Sequence, residues 1–132
     1  SRGLGDVYKR QLDAWAASSL PRAEYDVVWL IRFWPRACLV TLPSIVAPRG
    51  LIVVSHFAHD PDPRIPRRGE PYLREYTSPP IDKRIQRGEL RALLDHWDGM
   101  YGPHEILDEC IERVEDGRPV HSLVLRVHLH RL

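Results

Sequence analysis

Two short apolar runs dominate the first half of the chain. They cover residues 25–33 and 50–57, are rich in β-branched and aromatic side chains, and show no alternation of polar and apolar positions. Runs of this kind are typical of strands that are buried on both faces of a parallel sheet. Between them, from Pro35 to Val46, apolar residues recur at helical spacing. The pattern therefore predicts a helix that connects two parallel strands.

The second half of the chain begins with a long segment that has no periodicity. Residues 58–85 contain half of the chain's 12 prolines together with several basic side chains. A segment of this length without a pattern is usually a functional loop or a disordered one. A helix is predicted to follow, from Gln86 or Gly88 to His96, because leucines and Trp97 share one face of it.

The last segment, residues 104–129, alternates on either side of an Asp116-Gly117 turn. Asp-Gly between alternating segments is a strong hairpin signal. The fold class predicted from the whole chain is therefore α/β, with two parallel strands and a terminal antiparallel hairpin. Three histidines of the last strand are expected to be solvated: His121, His128 and His130.

Length, charge and cysteine content limit the number of domains, the partners and the cellular location that we expect. A length of 132 residues fits one domain, and a net charge of +1 gives no overall attraction to nucleic acid or to an anionic membrane. No apolar run is long enough to span a membrane. Cys38 and Cys110 lie in separate predicted elements, which favours reduced thiols and a cytoplasmic location.

Residues 1–11 do not fit the pattern of the rest. They carry no apolar period and resemble a translated sequencing adapter. We expect them to be a non-biological leader, which leaves residues 12–132 as the segment to interpret.

Four short motifs, in order, resemble those of the class I S-adenosylmethionine-dependent methyltransferases. Residues 25–29, Tyr-Asp-Val-Val-Trp, resemble the motif of that family's fourth strand. Residues 46–51 are similar to its Leu-x-Pro-Gly-Gly turn into the fifth strand, with Arg49 in place of the first glycine. Residues 104–107 resemble its sixth strand, and residues 115–118 resemble its turn into an antiparallel seventh strand.

The resemblance implies the C-terminal half of a Rossmann-like sheet. Residues 12–132 would be a partial methyltransferase domain without its N-terminal cofactor-binding strands. The parent enzyme would use S-adenosyl-L-methionine to methylate an unknown acceptor, a small molecule or RNA. The fragment by itself is expected to be inactive, and its oligomeric state stays open.

The resemblance also implies positions for the cofactor. Asp13 would accept a hydrogen bond from the adenine amino group, and the backbone N–H of Ala14 would meet a ring nitrogen. Ile31, Arg32 and Phe33 lie at the carboxyl end of the fourth strand, where doubly wound sheets bind ligands. They would line the methionine arm of the cofactor and open towards the methyl acceptor.

Two histidines are candidate acceptor-binding residues. His56 and His59 lie at or just beyond the end of the second apolar run. They line the cleft, or one of them acts as a base for an acceptor that must lose a proton, or they are surface histidines. No metal site is predicted, because a third ligand at diagnostic spacing is missing. The alternative function is a non-catalytic α/β binding module in which the basic loop 64–87 docks RNA or an acidic partner.

Overall fold

A computed structural model of the chain describes residues 24–129. The predicted leader 1–11, the candidate residues Asp13 and Ala14, and His130 lie outside this range. The helices and strands are β1 (Tyr25–Ile31), α1 (Arg36–Leu39), a 3₁₀ turn (Leu42–Ile45), β2 (Val46–Phe57), a second 3₁₀ turn (Ile81–Lys83), α2 (Glu89–Tyr101), β3 (Glu105–Arg113) and β4 (Pro119–Arg126).

The four strands form one mixed sheet in the order β1-β2-β4-β3. β1 and β2 are parallel neighbours, and β4 runs antiparallel to both β2 and β3. The predicted α/β class, the parallel pair and the terminal antiparallel hairpin are therefore confirmed. The last of the four described strands, β4, lies inside the sheet, between β2 and β3.

One face of the sheet carries the hydrophobic core. Alternate residues of β1, β2 and β4 point towards it, because side chains alternate between the two faces of a strand. The helices contribute the opposite wall, and the indole nitrogen of Trp97 donates to the Leu39 carbonyl at 2.8 Å. The principal core residues are Leu30, Cys38, Leu42, Ile45, Ile52, Val54, Leu90, Leu94, Trp97, Leu123 and Leu125.

The other face of β1 is open. Val27, Trp29 and Ile31 are exposed, and Trp29 retains 66% of its accessible surface. Among residues 24–129, β1 pairs with β2 alone, so its other edge has no strand partner. The prediction that this run is buried on both faces is wrong for the part of the chain that the structure describes.

The segment predicted as one helix from Pro35 to Val46 is two short turns. α1 has four residues, and the 3₁₀ turn that follows contains Pro43, whose missing N–H cannot continue an α-helical hydrogen-bond ladder. β2 then begins at Val46, four residues earlier than predicted. Its register to β1 jumps from Tyr25–Val46 to Val27–Leu51, which marks a bulge in β2.

Two further boundaries differ from the prediction. α2 continues past His96 to Tyr101 and ends where Gly102 takes a φ of +91° and donates to the Asp98 carbonyl. The expectation of solvated histidines on the last strand is wrong for His121 and His128, which are both buried. Each has a polar partner there, since His121 Nε2 lies 2.8 Å from Glu109 and His128 Nε2 lies 2.8 Å from the Pro43 carbonyl.

Candidate functional site at the carboxyl ends of the parallel strands

The parallel strands β1 and β2 end at the same edge of the sheet, at Ile31 and Phe57. From these ends the chain continues into residues 32–36 and into the long loop 58–88. Open α/β sheets bind their ligands at this edge. The predicted site residues Ile31, Arg32, Phe33, His56 and His59 all lie on or next to it.

Arg32 is fixed against the end of β2. Its backbone has a φ of +54°, a conformation that is uncommon for a residue with a side chain and that recurs at functional sites. Its N–H donates to the Ser55 carbonyl at 2.6 Å. The guanidinium donates from Nη1 to the Ser55 carbonyl and hydroxyl, and lies 5.5 Å from the centre of the Phe57 ring. Arg32 therefore points across β2, away from the open edge of β1.

A second arginine joins this edge to the first turn of α2. Arg36 donates from Nε and Nη2 to the carboxylate of Glu89 at 2.5 and 3.0 Å. The same carboxylate accepts from the indole of Trp34 at 3.1 Å and from the Gln86 N–H at 3.0 Å. Arg36 also donates to the carbonyls of Asp82 and Arg84. The end of β1, the 3₁₀ turn 81–83 and the start of α2 are thereby held together.

The ionisation of Glu89 follows from these contacts. Burial by itself would raise the pKa of this carboxyl, but the hydrogen bonds from Arg36, Gln86 and Trp34 outweigh it and lower the pKa below the ordinary value. Glu89 is consequently an anion at neutral pH, and the Arg36–Glu89 pair is charged.

His56 is buried beneath this network, with 6% of its surface exposed. Its Nε2 lies 2.7 Å from the Lys83 carbonyl, which can only accept, so Nε2 carries the proton. Nδ1 is buried without a partner in the described part of the chain. The ring is nearly parallel to Trp34, with centroids 6.4 Å apart. Burial lowers the pKa of His56, so the imidazole is neutral at pH 7.

His59 and Arg84 anchor the loop 58–88. Arg84 is only 2% exposed and lies 3.6 Å from the centre of the Tyr76 ring. It donates to the carbonyls of Pro79 and Tyr76 at 2.8 and 2.5 Å, and its Nη1 lies 3.3 Å from Nδ1 of His59. Since a guanidinium only donates, His59 is the acceptor. His59 therefore supports the loop, and Arg84, which the sequence did not single out, is its central anchor.

A cavity of about 350 Å³ opens beside Arg32 at this edge. Phe57 forms one wall, and Arg118 lies 4.3 Å from the centre of its ring. Arg118 is paired with Asp116 at 2.8 Å, and this interaction lowers the pKa of the Asp116 carboxyl. The remaining lining residues are Val114 and Glu115.

A separate cavity of about 380 Å³ lies between residues 61–66 and α2. Its floor carries the pair formed by buried His121 and half-buried Glu109, and the hydrogen bond from His121 lowers the pKa of Glu109. His56 lines neither this cavity nor the one beside Arg32.

Most basic residues of loop 64–87 are engaged within the protein. Arg64, Arg68 and Arg87 form ion pairs with Asp62, Asp108 and Asp60 at 2.7, 2.5 and 2.8 Å. Arg84 is buried, as described above. The loop therefore presents far less free positive charge than its sequence suggests.

Within residues 24–129 no group of three or more His, Cys, Asp and Glu side chains is arranged to hold a metal ion. Among the same residues, no helix has the length and apolar character needed to cross a membrane.

Comparison with known proteins gives one relative and no family assignment. No family model matches the chain, and no solved structure matches it. Over 121 residues the chain is 30% identical to an uncharacterized protein of Schizosaccharomyces pombe. The alignment covers 91% of this chain and 27% of that protein, so the chain spans about a quarter of the length of this relative.

Proposed function

We propose that these residues form the downstream half of an S-adenosylmethionine-dependent methyltransferase. The observation that carries the proposal is the sheet. The resemblance in sequence requires two parallel neighbouring strands followed by an antiparallel pair in the same sheet, and β1-β2-β4-β3 has this arrangement. An antiparallel β1 and β2, or a hairpin outside their sheet, would have removed the basis for the proposal.

The open side of β1 adds support. Among residues 24–129, β1 has one edge without a strand partner and three exposed apolar side chains on one face, which suits a sheet that continues beyond it. The strands that bind the cofactor in the methyltransferase family would join at this edge. In this proposal, the exposed surface of Val27, Trp29 and Ile31 is covered in the parent protein.

The residues at the end of β1 fit the cofactor. Exposed Ile31 offers apolar surface for an aliphatic arm. Ile31 and Phe33 would contact the methionine arm, and Asp13 and Ala14 would hold the adenine. S-adenosylmethionine supplies the activated methyl group when bound.

The residues of this chain would act chiefly by placement. Methyl transfer to a good nucleophile needs donor and acceptor in line, and it needs a base only if the acceptor must lose a proton. The Arg36–Glu89 pair and Trp34 fix the strand ends, and Arg84 with His59 fixes the loop that borders the acceptor side. We assign His56 a positioning role. Its Nε2 donates to the Lys83 carbonyl and its ring lies parallel to Trp34, while its Nδ1 is buried.

The alternative of a binding module has weaker support. It depends on free positive charge in loop 64–87, and three of its arginines are paired with aspartates while a fourth is buried. Surface contacts with phosphates need unpaired Lys and Arg side chains. Of the two functions, methyl transfer is favoured.

Calorimetry on the natural protein that contains these residues tests the proposal. We expect saturable, equimolar binding of S-adenosylmethionine and of S-adenosylhomocysteine. Ile31→Glu adds a carboxylate at the end of β1 and is expected to weaken binding about tenfold or more. Leu107→Glu is the matched control, because Leu107 is 44% exposed against 45% for Ile31 and lies on β3, at the far edge of the sheet. Absence of binding by the unmodified protein would refute the function.

A further inference from the structure

We propose that Arg32 binds a carboxylate group of the methyl acceptor. The inference rests on the proposed function and assigns the chemical class of the substrate. Arg32 is exposed, and only its backbone N–H and Nη1 have hydrogen-bond partners in the described part of the chain. Its Nε and Nη2 donors are free there, and Arg32 forms no ion pair with a described carboxylate. A planar guanidinium with two adjacent free donors matches a carboxylate.

The guanidinium is held ready for a ligand. Ser55 accepts from Nη1 through both its carbonyl and its hydroxyl, and the Phe57 ring lies against the guanidinium. The backbone of Arg32 has the uncommon positive φ that directs the side chain there. A cation already fixed in its bound position loses less conformational entropy when a ligand binds.

The direction in which the Arg32 side chain points favours binding of the methyl acceptor over binding of the cofactor. The proposed cofactor strands would join at the free edge of β1, whereas the guanidinium crosses β2 and approaches the start of β4. There it borders the 350 Å³ cavity, a volume suited to a small molecule. The expectation that Arg32 lines the methionine arm is thereby replaced by a position on the other side of the reacting centre.

The charges around the cavity favour a carboxylate over a phosphate. Arg118 is paired with Asp116, so it contributes little net positive charge. Glu115 also lines the cavity and forms no ion pair among the described residues. The neighbouring negative charge disfavours a doubly charged phosphate more strongly than a singly charged carboxylate.

The test uses benzoate as the carboxylate probe, with benzamide as its neutral isostere and inorganic phosphate as the competing anion. Each is titrated into the natural protein saturated with S-adenosylhomocysteine, and binding is followed by calorimetry and by the NMR signal of the Arg32 Nε–H. We expect benzoate to bind with an affinity about tenfold or more above that of benzamide and of phosphate. The Arg32 Nε–H signal should shift in proportion to the bound fraction.

Substitutions then locate the site. Arg32→Gln is expected to weaken benzoate binding about tenfold or more, and S-adenosylhomocysteine binding less than twofold. Arg67→Gln is the control, because the Arg67 guanidinium lies over the Tyr72 ring and forms no ion pair among the described residues. If Arg32→Gln does not fold, Arg32→Lys is used instead. Lysine keeps the charge but lacks the two adjacent donors of the guanidinium, so the same loss of benzoate affinity is expected.

The outcomes separate the two proposals. If S-adenosylhomocysteine binds but benzoate does not, or if phosphate binds more tightly than benzoate, the inference is overturned and the proposed function stands. If Arg32→Gln loses S-adenosylhomocysteine and keeps benzoate, Arg32 belongs to the cofactor site and the inference is again overturned. If the unmodified protein does not bind S-adenosylhomocysteine, the proposed function fails, and the inference fails with it.

Discussion

Arg36 and Glu89 form a two-point ion pair across 53 positions of sequence, with Nε 2.5 Å from Oε2 and Nη2 3.0 Å from Oε1. The pair joins the segment after β1 to the first turn of α2. The carboxylate also accepts from Trp34 and Gln86, so four donor contacts converge on one side chain. Glu89 is therefore a central acceptor of the candidate site.

Replacement of Glu89 should destabilise the protein measurably. Glu89→Gln removes the charge and turns one acceptor oxygen into a donor that faces other donors. We expect the free energy of unfolding to fall by about 1–3 kcal/mol in urea denaturation. Glu75→Gln is the control, since Glu75 is exposed and forms no ion pair in residues 24–129, and a change below about 0.5 kcal/mol is expected. Equal effects of the two changes would show that the Glu89 contacts add no stability.

His56 should make stability depend on pH in the mildly acidic range. Burial lowers its pKa in the folded state, whereas the unfolded chain has the ordinary value of about 6.5. The unfolded state therefore binds a proton first as the pH falls. The contribution of neutral His56 to the free energy of unfolding is complete above pH 6.5. It is lost progressively as the pH falls from 6.5 to the pKa that His56 has in the folded state.

The pH effect can be isolated with His56→Gln, whose amide N–H can replace the donor to the Lys83 carbonyl. Urea midpoints at pH 7.5, 6.5 and 5.5 should fall less steeply for this variant than for the unmodified chain. His96→Gln, at an exposed helical position, should keep the original slope. Parallel pH profiles for His56→Gln and the unmodified chain would contradict the assignment.

Gly50 and Gly99 should respond in opposite directions to alanine. A Cβ on Gly50 would lie 2.7 Å from Val46 Cγ1, 2.8 Å from the Ala47 carbonyl and 3.0 Å from the Asp26 carbonyl, all inside the bulge where β2 meets β1. We expect Gly50→Ala to lower the free energy of unfolding by about 1–3 kcal/mol. Gly99 lies within α2 with nothing near its Cβ position, so Gly99→Ala should raise it by about 0.5–1 kcal/mol. Thermal unfolding of both variants provides the measurement.

The exposed face of β1 should drive self-association of the isolated chain. Trp29 lies beside Val27 and Ile31 on this face, and contiguous apolar patches next to an unpaired strand edge favour association. Trp29→Gln is expected to reduce the associated fraction in sedimentation velocity without a loss of stability above about 0.5 kcal/mol. Met100→Gln, at a 64% exposed position on α2, should leave association unchanged. A monomeric unmodified chain would argue against this surface.

The architecture was predictable where local pattern and tertiary structure agree. The two apolar runs lack alternation and form the parallel pair, and Asp116-Gly117 lies at the turn of the hairpin. The helix predicted from Pro35 to Val46 failed because Pro43 interrupts it, although the apolar spacing continues through the proline. His121 was expected in solvent, but its strand parity places it beside Leu123, and Glu109 from β3 satisfies it.

The candidate site was predictable in position but not in its contacts. The rule for the carboxyl ends of parallel strands located Arg32 and His59 correctly at this edge. The roles of Glu89 and Arg84 could not be predicted from the sequence. Glu89 depends on Arg36, which the fold brings to it from 53 positions away, and Arg84 depends on its burial within the loop 58–88. A charge count likewise suggested a basic loop, whereas the structure pairs Arg64, Arg68 and Arg87 with aspartates.

The interior position of β4 has a consequence for biosynthesis. β3 joins the rest of the sheet only through residues 119–126, which the ribosome makes after every other strand described. While β4 is still in the exit tunnel, the edge of β2 that β4 will occupy is unpaired, and β3 has no partner strand among the strands described. The four-stranded sheet is therefore completed only after residues 119–126 have emerged from the ribosome. Nascent chains stalled before residue 119 should be captured by chaperones that bind exposed strand edges.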